Sequence, residues 1–121
     1  MTNDQKRERP FDLEERTFQF AKQVREFIRK IPKTIANIED GKQVIRSSGS
    51  VGANYIEANE AFSKKDFVMR LKISRKEAKE SGYWLRLIIA ANEEKFEEEG
   101  SSLVFESLEL KKIFSSIIEK C

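Results

Sequence analysis

Residues 44–62 read VIRSSGSVGANYIEANEAF. At 3.6 residues per turn, Val44, Ser48, Val51, Tyr55, Ala58 and Phe62 alternate steps of four and three, the seam of a helix packed against other helices. The middle of that helix is thin. Ser47, Ser48, Gly49, Ser50, Gly52 and Ala53 crowd small side chains into two turns, and each glycine costs a helix interior roughly 1 kcal/mol relative to alanine. Close approach of a neighbouring backbone offsets such a cost, because small side chains let helix axes come nearer than the usual spacing of about 8 to 10 Å. A Ser/Gly linker is the competing reading. It is disfavoured by Ile45, Val51, Tyr55 and Ile56, which keep helical spacing through the stretch. Asn54 and Glu57, one turn apart, suit a buried hydrogen-bond network that fixes register; a buried Glu57 calls for a basic partner from a neighbouring helix.

Outward from this stretch the chain divides into four helices. Residues 1–11 read as a loose polar leader, and 12–121 as one domain with helices at about 12–31, 36–61, 63–92 and 102–120. Asp12 with Glu15 opens the first helix, whose seam is Leu13, Thr17, Phe20, Val24, Phe27 and Ile31 before Pro32 ends it. Thr34 or Asn37 caps the second, and Ser63 with Asp66 opens the third. In the third, Phe67, Leu71, Ser74, Ala78, Ser81, Leu85 and Ile89 share one face, again small in its middle, so helices two and three read as a close antiparallel pair. The run NEEKFEEEG reads as a solvated acidic turn ending at Gly100, with Ser101 or Ser102 capping the last helix on Leu103, Ser107, Leu110, Phe114 and Ile117. Short connections and no strand pattern predict an all-α, antiparallel up-down-up-down four-helix bundle.

The composition limits the functional classes. Apolar residues make up 39% and charged residues 36% of 121, one domain's worth of core under a densely charged surface. No run approaches the ~18 apolar residues of a membrane span, and MTNDQKRERP lacks the apolar centre of a signal peptide, so the expected location is the cytoplasm, away from membranes. The lone Cys121 suits a reducing compartment. Histidine is absent, which removes the commonest general base and the Glu-x-x-His ligands of bundle di-metal sites. The carboxylate pairs Glu57/Glu60 and Glu77/Glu80 read as partners for nearby lysines and arginines, since no nucleophile or phosphate loop accompanies them. Gly49-Ser50-Val51-Gly52 has the form of a GXXG backbone clamp, but that clamp belongs to a fold with a β-sheet. The expectation is a protein with no enzymatic activity, cofactor or metal.

Charge is segregated beneath the net +2. Residues 63–86 carry eight bases and three acids, whereas 87–121 carry four bases and eight acids. On the third helix Lys65, Lys72, Lys79 and Arg86 recur every seven residues with Arg75, Lys76 and Tyr83 beside them, a row suited to following phosphates with an aromatic for stacking; the plain alternative is a solvated face. Arg25, Arg29 and Lys30 of the first helix are candidate supporting contacts. Another face of the third helix carries Met69, Ile73, Trp84 and Leu87, more than 100° from the Leu71/Ala78 seam. Either helix four or another subunit covers it, and the subunit is favoured, making these residues the candidate oligomer interface.

The block IRSSGSVGANYIEANEAFSKKDF followed by LKISRKEAKESGYWLRLI resembles the bacterial four-helix-bundle family of 23S rRNA intervening-sequence proteins, a group that includes the accessory variability determinant of diversity-generating retroelements. The matching positions are Arg46, Ser50-Val51, Ala53-Asn54, Glu57, Ser63 through Phe67 and Glu77 through Leu85. Ala58 departs from the glycine many relatives carry there. The likeness covers about residues 12–92, with helix four matching by pattern. It implies a ring-shaped homo-pentamer with basic surfaces, and in the retroelement branch an accessory that binds RNA or DNA and a reverse transcriptase. The function expected is therefore oligomeric nucleic-acid binding through a basic helical surface. The rivals are a reverse-transcriptase adaptor and a structural bundle.

Overall fold

The structure, a computed structural model, describes residues 12–121. The leader expected over residues 1–11 lies outside them. Four helices follow in order: α1 (Leu13–Lys30), α2 (Ile35–Asn59), α3 (Lys64–Ala91) and α4 (Glu97–Glu119), with a 3₁₀ turn at Glu94–Phe96 before the last and no strand among the described residues. Local chemistry sets most of the ends. The Asp12 carboxylate accepts from the Glu15 amide at 3.3 Å, Thr34 Oγ1 from the Asn37 amide at 3.1 Å, and Ser63 Oγ from the Asp66 amide at 3.1 Å, each satisfying a first-turn donor. Ile31, ahead of Pro32, is extended at ψ 155° and stops α1.

Two ends differ from the sequence reading. Helix α2 stops at Asn59, so Phe62 lies beyond it, fully exposed, and is no part of the seam. Helix α4 begins at Glu97 rather than near Ser102. Glu97, Glu98 and Glu99 form its first turn, where three carboxylates complement the positive end of the helix dipole. Gly100 is inside the helix and buried: a Cβ there would sit 2.6 Å from Ile89 Cγ1 and 3.1 Å from Phe27 Cζ. Close packing of three helices, not a turn, requires that glycine.

The four helices share one core, in which Phe20, Phe27, Phe114, Leu71, Leu85 and Leu110 are almost wholly buried, each contributing about 1.5 to 3 kcal/mol of transfer free energy. Helix α3 is central, packing extensively on both α2 and α4, while α1 packs on α2 and more lightly on α4. Bonded pairs between α2 and α3 run in opposite order along the two: Asn37 with Asn92, Ser47 with Ser81, Val51 with Ser74, Asn54 with Arg70. The small-residue seam is polar as well as thin. Ser47 Oγ and Ser81 Oγ lie 2.7 Å apart, and Ser74 Oγ donates to the Val51 carbonyl at 2.9 Å, so buried hydroxyls are satisfied across the interface. The close approach at the α2 glycines comes from α1: a Cβ on Gly52 would lie 2.7 Å from Thr17 Oγ1. Both glycines of the GXXG stretch lie in helix, so it forms no loop clamp.

Asn54 joins a register-setting bond, accepting from Arg70 Nη1 at 3.0 Å and donating to the Ser50 carbonyl at 2.9 Å. Glu57 does not. It is exposed rather than buried, it has no basic partner among the described residues, and Arg70 serves Asn54 instead.

Candidate nucleic-acid interface

The outer face of α3 carries a row of exposed cations. Lys65, Lys72, Lys76, Lys79 and Arg86 are exposed on it, because the buried seam of Leu71, Ser74, Ala78, Ser81 and Leu85 turns the heptad-spaced bases outward. Arg75 is half-buried and lies against α4, its Nη1 donating to Ser115 Oγ at 3.3 Å. Packing of α4 on α3 then adds a cation that sequence reasoning missed. Lys111 joins Lys72, Arg75, Lys76, Lys79 and Ser115 around an α3–α4 cleft of about 350 Å³. None of these cations has a carboxylate within 4.0 Å among the described residues. Like charges from two helices, with no carboxylate of the described residues within 4.0 Å, add to a local positive potential. The signal for Lys111 was its place beside Leu110 in the α4 seam, which points at α3 once the neighbour is known.

Tyr83 extends this surface. It is 55% exposed and forms a T-shaped pair with the half-buried Trp84, with ring centroids 5.2 Å apart and planes at 73°. Trp84 in turn packs against the hydrophobic core.

The α1 bases are placed elsewhere. Arg25 folds over the thin part of α2, with Nη1 donating to the Ala21 carbonyl at 2.9 Å and Nη2 to the Ile45 carbonyl at 3.1 Å. Lys30 is paired with Glu99 at 3.0 Å. Arg29 is exposed, but with Arg25 it borders a groove of about 660 Å³ between α1 and α2, whose walls include Phe18, Ala21 and Ile56. Arg25 and Lys30 therefore satisfy groups of the fold, and the α1 bases do not join the α3–α4 cleft.

Of the candidate interface residues, Ile73 and Trp84 are half-buried within one chain, while Met69 and Leu87 are 49% and 38% exposed. Beneath that face Glu77 is buried. Its Oε1 has no hydrogen-bond partner and lies 3.8 Å from Arg46 Nη1, a charge contact longer than a hydrogen bond. The strongest ion pair described joins α1 to α4: Arg16 Nε and Nη2 reach the two Glu106 oxygens at 2.7 and 3.0 Å, and the bond to Glu106 raises the Arg16 pKa. No group of three or more candidate metal ligands occurs among the described residues, nor a helix long and apolar enough to cross a membrane.

These features define a class: an all-helical protein of four long helices around one core, with a cationic outer face on its central helix. The chain belongs to the 23S rRNA-intervening sequence protein family, whose model matches residues 10–116. Among solved structures it is similar to a protein of unknown function from the S23 ribosomal protein family of Bacteroides thetaiotaomicron, at 32% identity over 87% of this chain and 96% of that one, with a TM-score of 0.74. No curated protein matches it.

Proposed function

We propose that this family member is a cytoplasmic, non-enzymatic accessory protein that binds RNA or DNA through the α3–α4 cleft. The observation that carries this is the convergence of Lys72, Arg75, Lys76 and Lys79 of α3 with Lys111 of α4, without carboxylate partners among the described residues. Such an array neutralises phosphates and releases their counter-ions, which sets affinity and leaves sequence choice to other contacts. Fluorescence anisotropy of labelled RNA and DNA tests it. With the five cleft cations each on a phosphate, affinity falls about 10²- to 10³-fold between about 50 and 200 mM salt. Reversing Lys72, Lys76 and Lys79 to glutamate abolishes binding while the helical circular-dichroism signal is kept; unchanged affinity refutes the reading.

A second part of the reading concerns assembly. The opposite ordering of bonded pairs supports the antiparallel up-down-up-down connection. The exposed Met69 and Leu87 beside half-buried Trp84 favour a protein contact on that face, either a further copy in a homo-pentameric ring or a reverse transcriptase of the kind the retroelement branch serves.

A further inference from the structure

We propose that the nucleic acid taken by this surface is single-stranded, with one base stacked on Tyr83 and the backbone running along the Lys79–Arg86 side of that ring. The inference rests on the phosphate-binding reading of the α3–α4 cleft and assigns the strandedness and placement that it leaves open.

Tyr83 is unusual in being exposed yet braced. A tyrosine alone on a helix surface samples several rotamers, and fixing it on binding costs entropy. Here the Trp84 ring lies across it at 73° with centroids 5.2 Å apart, and Trp84 is itself packed against the core. An edge-to-face contact occupies one part of the aromatic system and leaves ring surface free, consistent with the 55% exposure. The brace therefore presents a platform already ordered before a ligand arrives.

Position along α3 supplies the register. Tyr83 is four residues beyond Lys79 and three before Arg86, about 6 and 4.5 Å along the axis, so each flanking cation is roughly one turn away. Advancing 100° per residue, Lys79, Tyr83 and Arg86 fall within about 60° of one another, with Lys72 inside that sector and Lys76 about 20° beyond Tyr83 on its other side. Glu80 lies on the opposite flank of Tyr83 from Lys79 and Arg86. Within one turn of Tyr83 a phosphate meets Glu80 on one side and Lys79 and Arg86 on the other, which favours passage of the backbone on the Lys79–Arg86 side.

Strandedness follows from what a tyrosine face can reach. Base faces inside a duplex are covered by their neighbours, and only an unstacked base offers its face to a side chain. A duplex would use the cations and leave the platform empty. A single strand uses both, as in proteins that combine a cationic groove with aromatic stacking.

Anisotropy with three labelled ligands of equal length, about 12 nucleotides, tests this: oligothymidine, a wholly abasic strand, and a duplex. The full chain binds oligothymidine more tightly than the abasic strand or the duplex. Stacking of one base is lost in Tyr83→Ala, which weakens oligothymidine binding roughly 5- to 150-fold and leaves the abasic strand unaffected, whereas Tyr83→Phe retains it. Trp84, the one tryptophan in the sequence, reports directly: its emission changes when oligothymidine binds and not when the abasic strand does. Equal affinity for all three ligands, or a Tyr83→Ala variant indistinguishable from the parent, overturns the single-strand assignment while the phosphate cleft stands. Absence of binding by any ligand overturns both.

Discussion

Gly49 and Gly52 are three residues apart on α2, and the same substitution at each has opposite consequences. A Cβ at Gly52 would lie 2.7 Å from Thr17 Oγ1 and 3.1 Å from Thr17 Cβ. Thr17 is buried, β-branched, and donates to the Leu13 carbonyl at 2.7 Å, so it has little freedom to retreat. At Gly49 the nearest atom is Arg25 Nη2 at 3.2 Å, the end of a long side chain. Gly52→Ala is expected to destabilise by about 1 to 3 kcal/mol through overpacking, despite its gain in helix propensity. Gly49→Ala is expected to be neutral or to stabilise by up to ~1 kcal/mol. Urea denaturation of the two variants decides the matter: a Gly52→Ala variant as stable as Gly49→Ala, or more so, would mean that the α1–α2 approach is not set at Gly52.

Among the elements, α1 depends most on a few contacts. It rests on α2, touches α4 lightly, and is tied to α4 by the Arg16–Glu106 and Lys30–Glu99 pairs. Local opening of α1 is therefore expected at lower free energy than opening of α3. Glu106→Gln, which keeps the shape and removes the charge, should lower α1 protection in hydrogen exchange by a factor equivalent to about 1 kcal/mol, with α3 amides affected less. No change in α1 would show that the pair is merely superficial. The seams of all four helices were legible in the sequence because steps of four and three place Thr17, Val24, Ser48, Ala78 and Leu110 on buried faces. The start of α4 was not legible. An acidic run suits a solvated turn and a helix's first turn equally well, and only the closeness of Ile89 and Phe27 shows why Gly100 is helical. At the candidate site the α3 row could be read from its spacing alone. Lys111 could not, since its role depends on α4 lying beside that row, and Arg25 was misplaced because the gap above Gly49 that admits it is a tertiary feature.

For the whole molecule, the proposed ring predicts a mass that is a multiple of 14.1 kDa. Multi-angle light scattering measures it. Leu87→Glu, on an exposed position, should reduce that mass to one subunit without loss of helix, and a parent protein already at 14.1 kDa would remove assembly from the reading. The serine seam has a consequence at this same scale. Slipping α3 by one turn along α2 would move it about 5.4 Å and separate Ser47 from Ser81 and Ser74 from the Val51 carbonyl, stranding buried hydroxyls that each cost about 1 to 3 kcal/mol. Intermediate positions are no better, so the helix pair works as a detent with one stop. Because α4 is seated on α3 and α1 on α2, that stop is the datum for the whole surface. Three uncharged hydroxyls in the buried interior, those of Ser47, Ser74 and Ser81, thus calibrate how the charged rows on the outside line up.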